Sequence, residues 1–500
     1  MMLGSTSSGV LGALQTLILM PLYLREIGPG LYGAWSGSGD LLVWLQTFDF
    51  GIPNIMIQRI GAAHGRGDQA SIGAYLCSGI AMVAVVAAAA LAAAFAIHAW
   101  VPVWMGARGE AARTLSACFL IGATAAVMNI LSHGIHGLAK GIQQTAFVNA
   151  ALVVATVAGF GVTAGLLVGG WGLYSIAWGA AARAGIALAA NLWFALSVLN
   201  RGLWSHFRLR GHLVREMAVL SPPVLLAGVS YGVMNNSQAA IAAMTLGPGA
   251  ATVLTVTRRA MDLARYFSDV VAYAAYGGFA SLFGGEEGRS RAMHVRAEVV
   301  AVYMTIAVAL GTACMAVNPS FVTVWVGAEQ FGGSALTVAL ATGLLVSGWS
   351  FLSNYLYRAT GKQAEGAWLL VGEALVRVPL MAILARAFGL TGLAAASIGT
   401  AAVSGWLAYR GTLAASLSAP QKEGRGEGPP GRTRLLSIYG ALWAAGALAC
   451  MTLVVPNWLF VGTLGLGAAG GSLLLLRQAD PLLQRVPLLG KAAPAQEVHP

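Results

Sequence analysis

The stretch Ser71–Val101 reads SIGAYLCSGIAMVAVVAAAALAAAFAIHAWV and contains no Asp, Glu, Lys or Arg. A helix that crosses a membrane requires ~20 mainly apolar residues, and this run exceeds that length. A span longer than the hydrocarbon layer is accommodated by tilting or by helix ends beyond the bilayer. The stretch therefore predicts a transmembrane helix.

The composition of the whole chain points the same way. Only 9% of its 500 residues are charged and 57% are hydrophobic, whereas about 25% of the residues in a soluble domain are charged. A soluble chain of this length needs more polar surface to cover its core, which argues against a soluble enzyme, a nucleic-acid binder and a disordered scaffold. The net charge of +11 fits basic cytoplasmic loops of a membrane protein, so no nucleic-acid partner is expected.

Apolar runs of this kind recur along the chain and predict an all-α polytopic membrane protein with about 14 transmembrane helices. Charged residues or Gly and Pro bound each run, as is common at helix ends. The predicted spans are residues 3–24, 31–57, 71–101, 112–138, 143–168, 172–199, 217–246, 250–283, 297–325, 333–357, 363–387, 390–417, 437–456 and 458–477.

The distribution of Lys and Arg predicts the orientation of these spans. With the N-terminus in the cytoplasm, only Arg25, Arg108, Arg113 and Arg386 fall in outer loops, and most of the other basic residues fall in inner loops. Basic residues accumulate in cytoplasmic loops of membrane proteins. We therefore expect both termini in the cytoplasm and an even number of spans.

Short motifs repeat at a nearly constant offset. Gly28-Pro29-Gly30 opens the second span, and Gly247-Pro248-Gly249 opens the eighth, 219 residues later. Gly172 and Gly392 open the sixth and twelfth spans in the same way. Such an offset predicts a duplication of six helices, related by a pseudo-twofold axis along the membrane normal.

The duplication divides the chain into two six-helix lobes and a C-terminal addition. The predicted segments are an N-lobe at 1–205, a C-lobe at 206–418, a cytoplasmic linker at 419–436, two further spans at 437–478 and a cytoplasmic tail at 479–500. Two lobes that flank a central cavity suit transport by alternating access.

Charged residues concentrate in the eighth predicted span. Arg258, Asp262, Arg265 and Asp269 follow each other at i, i+4, i+7 and i+11, on one helical face. A charge in the membrane interior costs at least ~2.5–3.5 kcal/mol. This charged helical face therefore requires a water-filled cavity or protein partners. Arg–Asp pairs that glue helices together are one interpretation. With Arg259 the arginines outnumber the aspartates, which favours the other interpretation, a site for an anionic ligand.

Other spans contain isolated charges. Arg183 lies in the sixth span and Asp40 in the second, while Glu373 and Arg377 stand four residues apart in the eleventh. The spacing of Glu373 and Arg377 is also that of an internal ion pair. The polar run 235–238 in the seventh span and the polar first span place helices one, two, seven and eight around the predicted cavity.

The sequence lacks the motifs that are typical of nucleotide hydrolysis, metal binding and nucleophilic catalysis. There is no phosphate-binding GxxxxGK[ST] loop, no HExxH and no nucleophilic triad in the sequence. We therefore expect no enzymatic activity, no catalytic residue and no metal site or other cofactor. Energy for transport would come from an ion gradient or from removal of the substrate.

Two segments resemble a known family. Pro21–Trp35 (PLYLREIGPGLYGAW) is similar to the start of O-antigen-type polysaccharide flippases, members of the multidrug/oligosaccharidyl-lipid/polysaccharide exporter (MOP) superfamily. Phe48–Asn54 (FDFGIPN), followed by Arg59, resembles the family pattern at the inner end of the second helix. The plan of twelve helices plus two is similar to that of polysaccharide and lipid II flippases, whereas drug exporters of the superfamily usually lack the last pair.

The resemblance implies transport of an undecaprenyl-pyrophosphate-linked oligosaccharide, such as an O-antigen unit of lipopolysaccharide, across a bacterial inner membrane. It further implies partnership with a polysaccharide polymerase and a cationic cavity between the lobes. That cavity is expected to use Arg183, Arg258, Arg259, Arg265 and Arg377. Candidates for coupling to H⁺ or Na⁺ are Asp40, Asp262, Asp269 and Glu373.

Two other functions stay open from the sequence. A cation-coupled multidrug exporter would have an apolar cavity with one carboxylate, against which the surplus of arginine argues. A non-transporting scaffold of a polysaccharide assembly complex would tolerate replacement of the membrane arginines as long as the fold survives.

Overall fold

The computed structural model describes residues 2–47, 49–283, 288–417 and 432–479, and this part of the chain contains helices and no β-strand. Nine helices within it are long and apolar enough to cross a membrane. The predicted all-α polytopic class is confirmed, while the count of 14 spans stays a prediction. The helices are α1 (Met2–Glu26), α2 (Pro29–Thr47), α3 (Ile52–Gly65), α4 (Gln69–Ile97), α5 (Val101–Trp104), α6 (Gly109–Gly141), α7 (Ala146–Val168), α8 (Tyr174–Val198), α9 (Gly211–Asn235), α10 (Gln238–Leu246), α11 (Pro248–Thr257), α12 (Arg259–Phe283), α13 (Gly288–Val326), α14 (Ser334–Ala359), α15 (Gln363–Leu417), α16 (Arg432–Thr452) and α17 (Trp458–Ala479).

Local signals set several of these boundaries. The carboxylate of Asp68 accepts a hydrogen bond from the Ser71 amide at 3.0 Å and so caps α4. Hydrogen bonds from the Ser71 side chain and amide lower the pKa of Asp68. The long α15 contains a break at Phe388 and Gly389, where Gly389 has a φ of 63°. This break lies between the predicted eleventh and twelfth spans.

Three predicted spans are broken where the sequence predicts continuous helices. The second span divides between α2 and α3, the seventh between α9 and α10, and the eighth between α11 and α12. Gly51, with a φ of 64°, precedes α3, and a positive φ interrupts a right-handed helix. In the seventh and eighth spans, polar partners from neighbouring helices stabilise the ends that the breaks create.

The chain forms two compact units. The first contains Met1–Val256 and Ala364–Ala396, and the second contains Thr257–Gln363 and Ser397–Pro500. These units are defined by contacts and not by the repeat, so the lobes 1–205 and 206–418 stay a prediction. The predicted linker 419–436 lies mostly outside the described residues, and the predicted tail 479–500 lies outside them except for Ala479.

In the first unit, α6 packs against α2, α3, α4 and α8. Fully buried apolar side chains from three of these helices, Met56, Leu76 and Leu138 among them, form its core. In the second unit, α13 packs against α12, α14, α16 and α17. Both arrangements surround one central helix with others, which leaves the outer helix faces apolar and exposed, as a lipid environment allows.

Candidate functional site

The break in the eighth span is held by a buried side chain of α13. The side-chain nitrogen Nδ2 of Asn318 donates to the Thr257 carbonyl at 3.0 Å and to the Thr337 hydroxyl at 3.1 Å. The Thr257 hydroxyl in turn accepts from the Gly332 amide at 2.9 Å. These bonds satisfy polar groups that a helix break leaves open, and they fix the point at which α12 begins.

Two ion pairs run along the start of α12. Arg258 Nε lies 3.2 Å from Asp262 Oδ2, and Arg265 Nε lies 3.5 Å from Asp269 Oδ2. Each pair spans four residues, as the spacing predicts. The Tyr303 hydroxyl on α13 donates to the other carboxylate oxygen of Asp269 at 3.0 Å. Both aspartates are thus paired with arginines of their own segment, and the Tyr303 hydroxyl connects Asp269 to α13.

Arg259 differs from its neighbours on α12. No ion pair or hydrogen bond of its side chain is found among the described residues, and its Nε atom is buried without a hydrogen-bond partner there. A buried N–H group without a hydrogen-bond partner costs free energy, although the Arg259 side chain as a whole is partly exposed. The two aspartates compensate Arg258 and Arg265, so the surplus positive charge of this segment resides on Arg259.

In the first unit, α2 stabilises the break in the seventh span. The buried Asp40 carboxylate accepts from the Ala240 amide at 2.9 Å, in the first turn of α10. Trp44 Nε1 donates to the Asn236 carbonyl at 2.7 Å, at the end of α9. A carboxylate near a helix N-terminus is favoured by the free amides and by the helix dipole. Asp40 therefore supports α10 from a neighbouring helix.

Glu373 and Arg377 form an ion pair within α15. Both side chains are buried, with relative exposures of 3% and 4%. The internal pair that their spacing predicts is therefore present. Because the pair is buried, removal of one partner leaves an uncompensated charge in the protein interior.

Arg183 lies on an exposed part of α8. Its Cβ atom faces Gly159 of α7, where an added methyl group on the glycine would lie 2.7 Å from it. As with Arg259, no ion pair or hydrogen bond of its guanidinium is found in the part of the chain that the structure describes. Of the five predicted arginines, Arg258, Arg265 and Arg377 have carboxylate partners, and Arg183 and Arg259 have none among the described residues.

Three of these supporting residues were not predicted. Asn318, Tyr303 and Trp44 act through their contacts with broken helices and a buried carboxylate. A signal exists for Asn318, which precedes Pro319 inside an otherwise apolar span. A buried amide beside a proline marks a position where backbone groups need a partner. Tyr303 and Trp44 stand in apolar helices without such a signal.

Comparison with solved structures shows which fold this is. A structure described as "Lipid II flippase MurJ, inward closed conformation" matches with a TM-score of 0.64 and 11% identity, over 96% of this chain and 99% of the flippase. An inward-facing multidrug resistance MATE transporter of the MOP superfamily matches with a TM-score of 0.63 and 14% identity, over 82% of this chain and 96% of that transporter. A MATE structure in complex with MaD3S has a TM-score of 0.59 at 15% identity, over 83% of this chain and 95% of that one.

This chain has the fold of MOP-superfamily transporters. The predicted resemblance to that superfamily is confirmed at the level of the fold, and the chain is a multi-pass membrane protein. No family profile and no curated protein matches the sequence. The narrower resemblance to O-antigen flippases therefore stays a prediction.

Proposed function

We propose that the chain is a lipid-linked oligosaccharide flippase. It moves undecaprenyl-pyrophosphate-linked repeat units from the cytoplasmic to the periplasmic face of a bacterial inner membrane by alternating access, with both termini in the cytoplasm. Its solved structural neighbours are described as transporters and flippases, which supports a role in transport over one in catalysis. The proposed partners are the lipid-linked glycan and the polymerase machinery that uses it.

The extent of the structural matches carries this proposal. The MurJ flippase matches 96% of the chain, whereas the MATE transporters match 82 to 84%. A match that leaves out so little of the chain includes most of the final helix pair, α16 and α17. This pair is the part that the drug exporters of the superfamily usually lack, so the match favours a flippase of lipid-linked substrates.

The final pair is an integral part of the second unit. The Tyr439 and Thr305 hydroxyls lie 3.0 Å apart, and the Ser334 hydroxyl donates to the Cys450 carbonyl at 2.8 Å. The Val455 amide donates to the Ser320 hydroxyl at 2.9 Å. Such polar contacts between membrane helices fix α16 and the segment after it against α13 and α14.

The arginines supply the chemistry for the head group. A guanidinium offers several donors in a planar fork and binds phosphate oxygens strongly. We infer that Arg259, whose buried Nε has no partner among the described residues, is the first pyrophosphate ligand, with Arg183 as the second candidate. Arg258 and Arg265 would take part by exchanging a carboxylate for a phosphate oxygen, which frees Asp262 or Asp269 to bind H⁺ or Na⁺, whereas the buried Glu373–Arg377 pair would serve the fold.

The test is the sidedness of the lipid-linked oligosaccharide in a strain that lacks this gene and any redundant flippase. We expect the intermediate to accumulate on the cytoplasmic side, out of reach of a periplasmic probe. Wild type should restore export, whereas Arg259→Ala and Arg265→Ala should not, although both reach the membrane folded. Arg386→Ala removes an exposed arginine of a predicted outer loop and should restore export fully.

The MATE matches make multidrug export the second candidate. Normal sidedness of the oligosaccharide in the deletion strain, together with raised sensitivity to cationic drugs, would favour export of small molecules. Normal sidedness with unchanged drug sensitivity, but with loss of the assembled polysaccharide, would favour the scaffold.

A further inference from the structure

An open pocket of about 700 Å³ lies on the surface of the first unit. It is found where α1 meets α2 and where α7 meets α8, beside the start of α6, at helix ends that are predicted to face outward. Its lining combines an aromatic wall, formed by Trp171, Tyr174 and Trp178, with the polar groups of Glu26 and Thr114. Its volume is within the range of ~300–1,000 Å³ that is typical of small-molecule sites.

The aromatic wall is built on a glycine turn. Gly170 and Gly172 have φ values of 79° and 52°, a conformation that suits glycine, and they hold Trp171 between α7 and α8. The Tyr174 amide donates to the Trp171 carbonyl at 3.2 Å, and Trp178 follows one turn later. Trp171 and Trp178 are 54% and 46% exposed. No ring contact of these three residues is found among the described ones, so their ring faces are not covered by other aromatic side chains.

The polar groups of the cavity suit hydroxyl-rich ligands. Glu26 is exposed and lies beside Arg25, whose Nε is 3.4 Å from its carboxylate. A sugar ring has an apolar face that packs on an aromatic ring and hydroxyl groups that donate to a carboxylate. The acyl chain of a lipid would pack on the aromatic wall and would form no hydrogen bond with Glu26 or Thr114.

The second repeat lacks this arrangement. At the repeat offset of 220, Trp171, Tyr174 and Trp178 correspond to Thr391, Ala394 and Ile398. Aromatic residues that only anchor helices at the membrane surface are favoured at both interfaces and in any helix, so both repeats would gain equally from them. Their concentration in the first repeat favours a ligand.

We propose that this pocket binds the glycan part of a lipid-linked saccharide at the outer end of the first unit. The identity of that glycan rests on the proposed function, whereas the binding does not. The aromatic wall packs on sugar rings, and Glu26 and Thr114 bond to their hydroxyls. The pocket would hold the sugars at the outer surface while the pyrophosphate leaves its arginines.

Saturation-transfer NMR on the full-length protein in phosphatidylglycerol nanodiscs tests the proposal. The probe is the water-soluble glycan fraction that mild acid releases from lipid-linked saccharides of the source cells. We expect transfer to the sugar protons with wild type. Trp171→Ala and Trp178→Ala should weaken binding ~tenfold or more, since each removes one stacking surface. Trp100→Ala, which removes a similarly exposed tryptophan (61%) at a predicted outer end, is the matched control and should bind as wild type.

Each outcome has a definite meaning. Absence of glycan binding by wild type would overturn the proposal, as would equal binding by wild type, Trp171→Ala and Trp178→Ala. Quenching of Trp171 and Trp178 by spin-labelled lipid that saturating glycan does not relieve would assign the pocket to lipid. Glycan binding in a protein whose deletion leaves oligosaccharide sidedness normal would refute the flippase and keep the pocket.

Discussion

The hydroxyl groups of Ser36 and Thr255 lie 3.0 Å apart, and the two residues are 219 positions apart in the chain. This is the offset between the two Gly-Pro-Gly motifs, so the contact joins equivalent positions of the proposed repeats. Equivalent residues meet where a twofold axis passes between them. Such a contact is what a twofold-related duplication leads one to expect, and the duplication itself stays a prediction.

A second pair of contacts obeys the same symmetry. The Thr252 hydroxyl donates to the Pro29 carbonyl at 2.5 Å. At the offset of 219 the equivalents of these residues are Gly33 and Pro248, and an added Cβ on Gly33 would run into the Pro248 carbonyl. α2 and α11 thus also approach closely nearer their N-terminal ends, before the Ser36–Thr255 contact.

The first prediction concerns Gly33. Gly33→Ala would place a methyl group against backbone atoms, with the Pro248 carbonyl carbon at 2.7 Å, and backbone yields less readily than a side chain. We expect a loss of about 1–3 kcal/mol in stability, as for overpacked cores, measured as a lower melting temperature of the detergent-solubilised protein. Gly30→Ala, in the same helix with nothing within 4 Å, is the control. Equal melting temperatures for the two variants would contradict this close approach.

The second prediction concerns the break at Arg258. Asn318→Ala removes the donor for the Thr257 carbonyl and for the Thr337 hydroxyl, and Asn318 is fully buried. Buried groups left without partners cost about 1–3 kcal/mol, so the melting temperature should fall. Asn318→Asp keeps the shape of the side chain but loses its N–H donor, so its melting temperature should be no higher than that of Asn318→Ala.

Thr463→Val serves as the control for Asn318, since the exposed Thr463 hydroxyl donates to the Leu459 and Phe460 carbonyls of its own helix. If Asn318→Ala is as stable as this control, the amide does not hold the break.

Hydropathy predicts much of this fold but misses the breaks that follow Asn236 and Thr257, for one physical reason. The break at Phe388–Gly389 is visible in the sequence because a glycine there follows an apolar run. The ends at Asn236 and Thr257 are not visible, since partners distant in sequence satisfy the freed backbone groups, Trp44 for one and Asn318 for the other. A span-by-span reading contains no information on such partners.

The candidate site likewise contains features that the sequence predicts and features that it does not. The i, i+4 spacing predicts the pairs of Arg258 with Asp262 and of Glu373 with Arg377, because both members lie on one helix. It does not distinguish Arg259 from these arginines. That distinction depends on what surrounds its buried Nε, and only the packing of helices determines it.

The third prediction separates two roles of Asp40. Its carboxylate supports α10 through the Ala240 amide, and an asparagine side chain offers the same acceptor. We therefore expect Asp40→Asn to fold and to export oligosaccharide as wild type does. Asp40→Leu removes the acceptor and should cost about 0.5–2 kcal/mol. A folded Asp40→Asn protein without export would instead assign Asp40 to ion coupling.

The fourth prediction concerns the buried pair of Glu373 and Arg377. Glu373→Gln or Arg377→Met alone leaves one buried charge uncompensated, and we expect a loss of about 3–5 kcal/mol, seen as a fall in melting temperature and in the amount of membrane-inserted protein. Replacement of both by Leu and Met leaves no buried charge, so stability should recover.

Export by the double variant decides what the pair does. Because each charge compensates the other within one helical turn, we expect the double variant to export oligosaccharide at close to the wild-type rate once it is folded. Arg59→Ala is a suitable control for the loss of an ion pair as such, since its partner Glu216 is partly exposed and the expected cost is below about 1 kcal/mol. A stable double variant that no longer exports would show that Arg377 contacts the substrate or that Glu373 carries the coupling ion. Restoring either Glu373 or Arg377 alone, with the other position still neutral, would then tell these two roles apart.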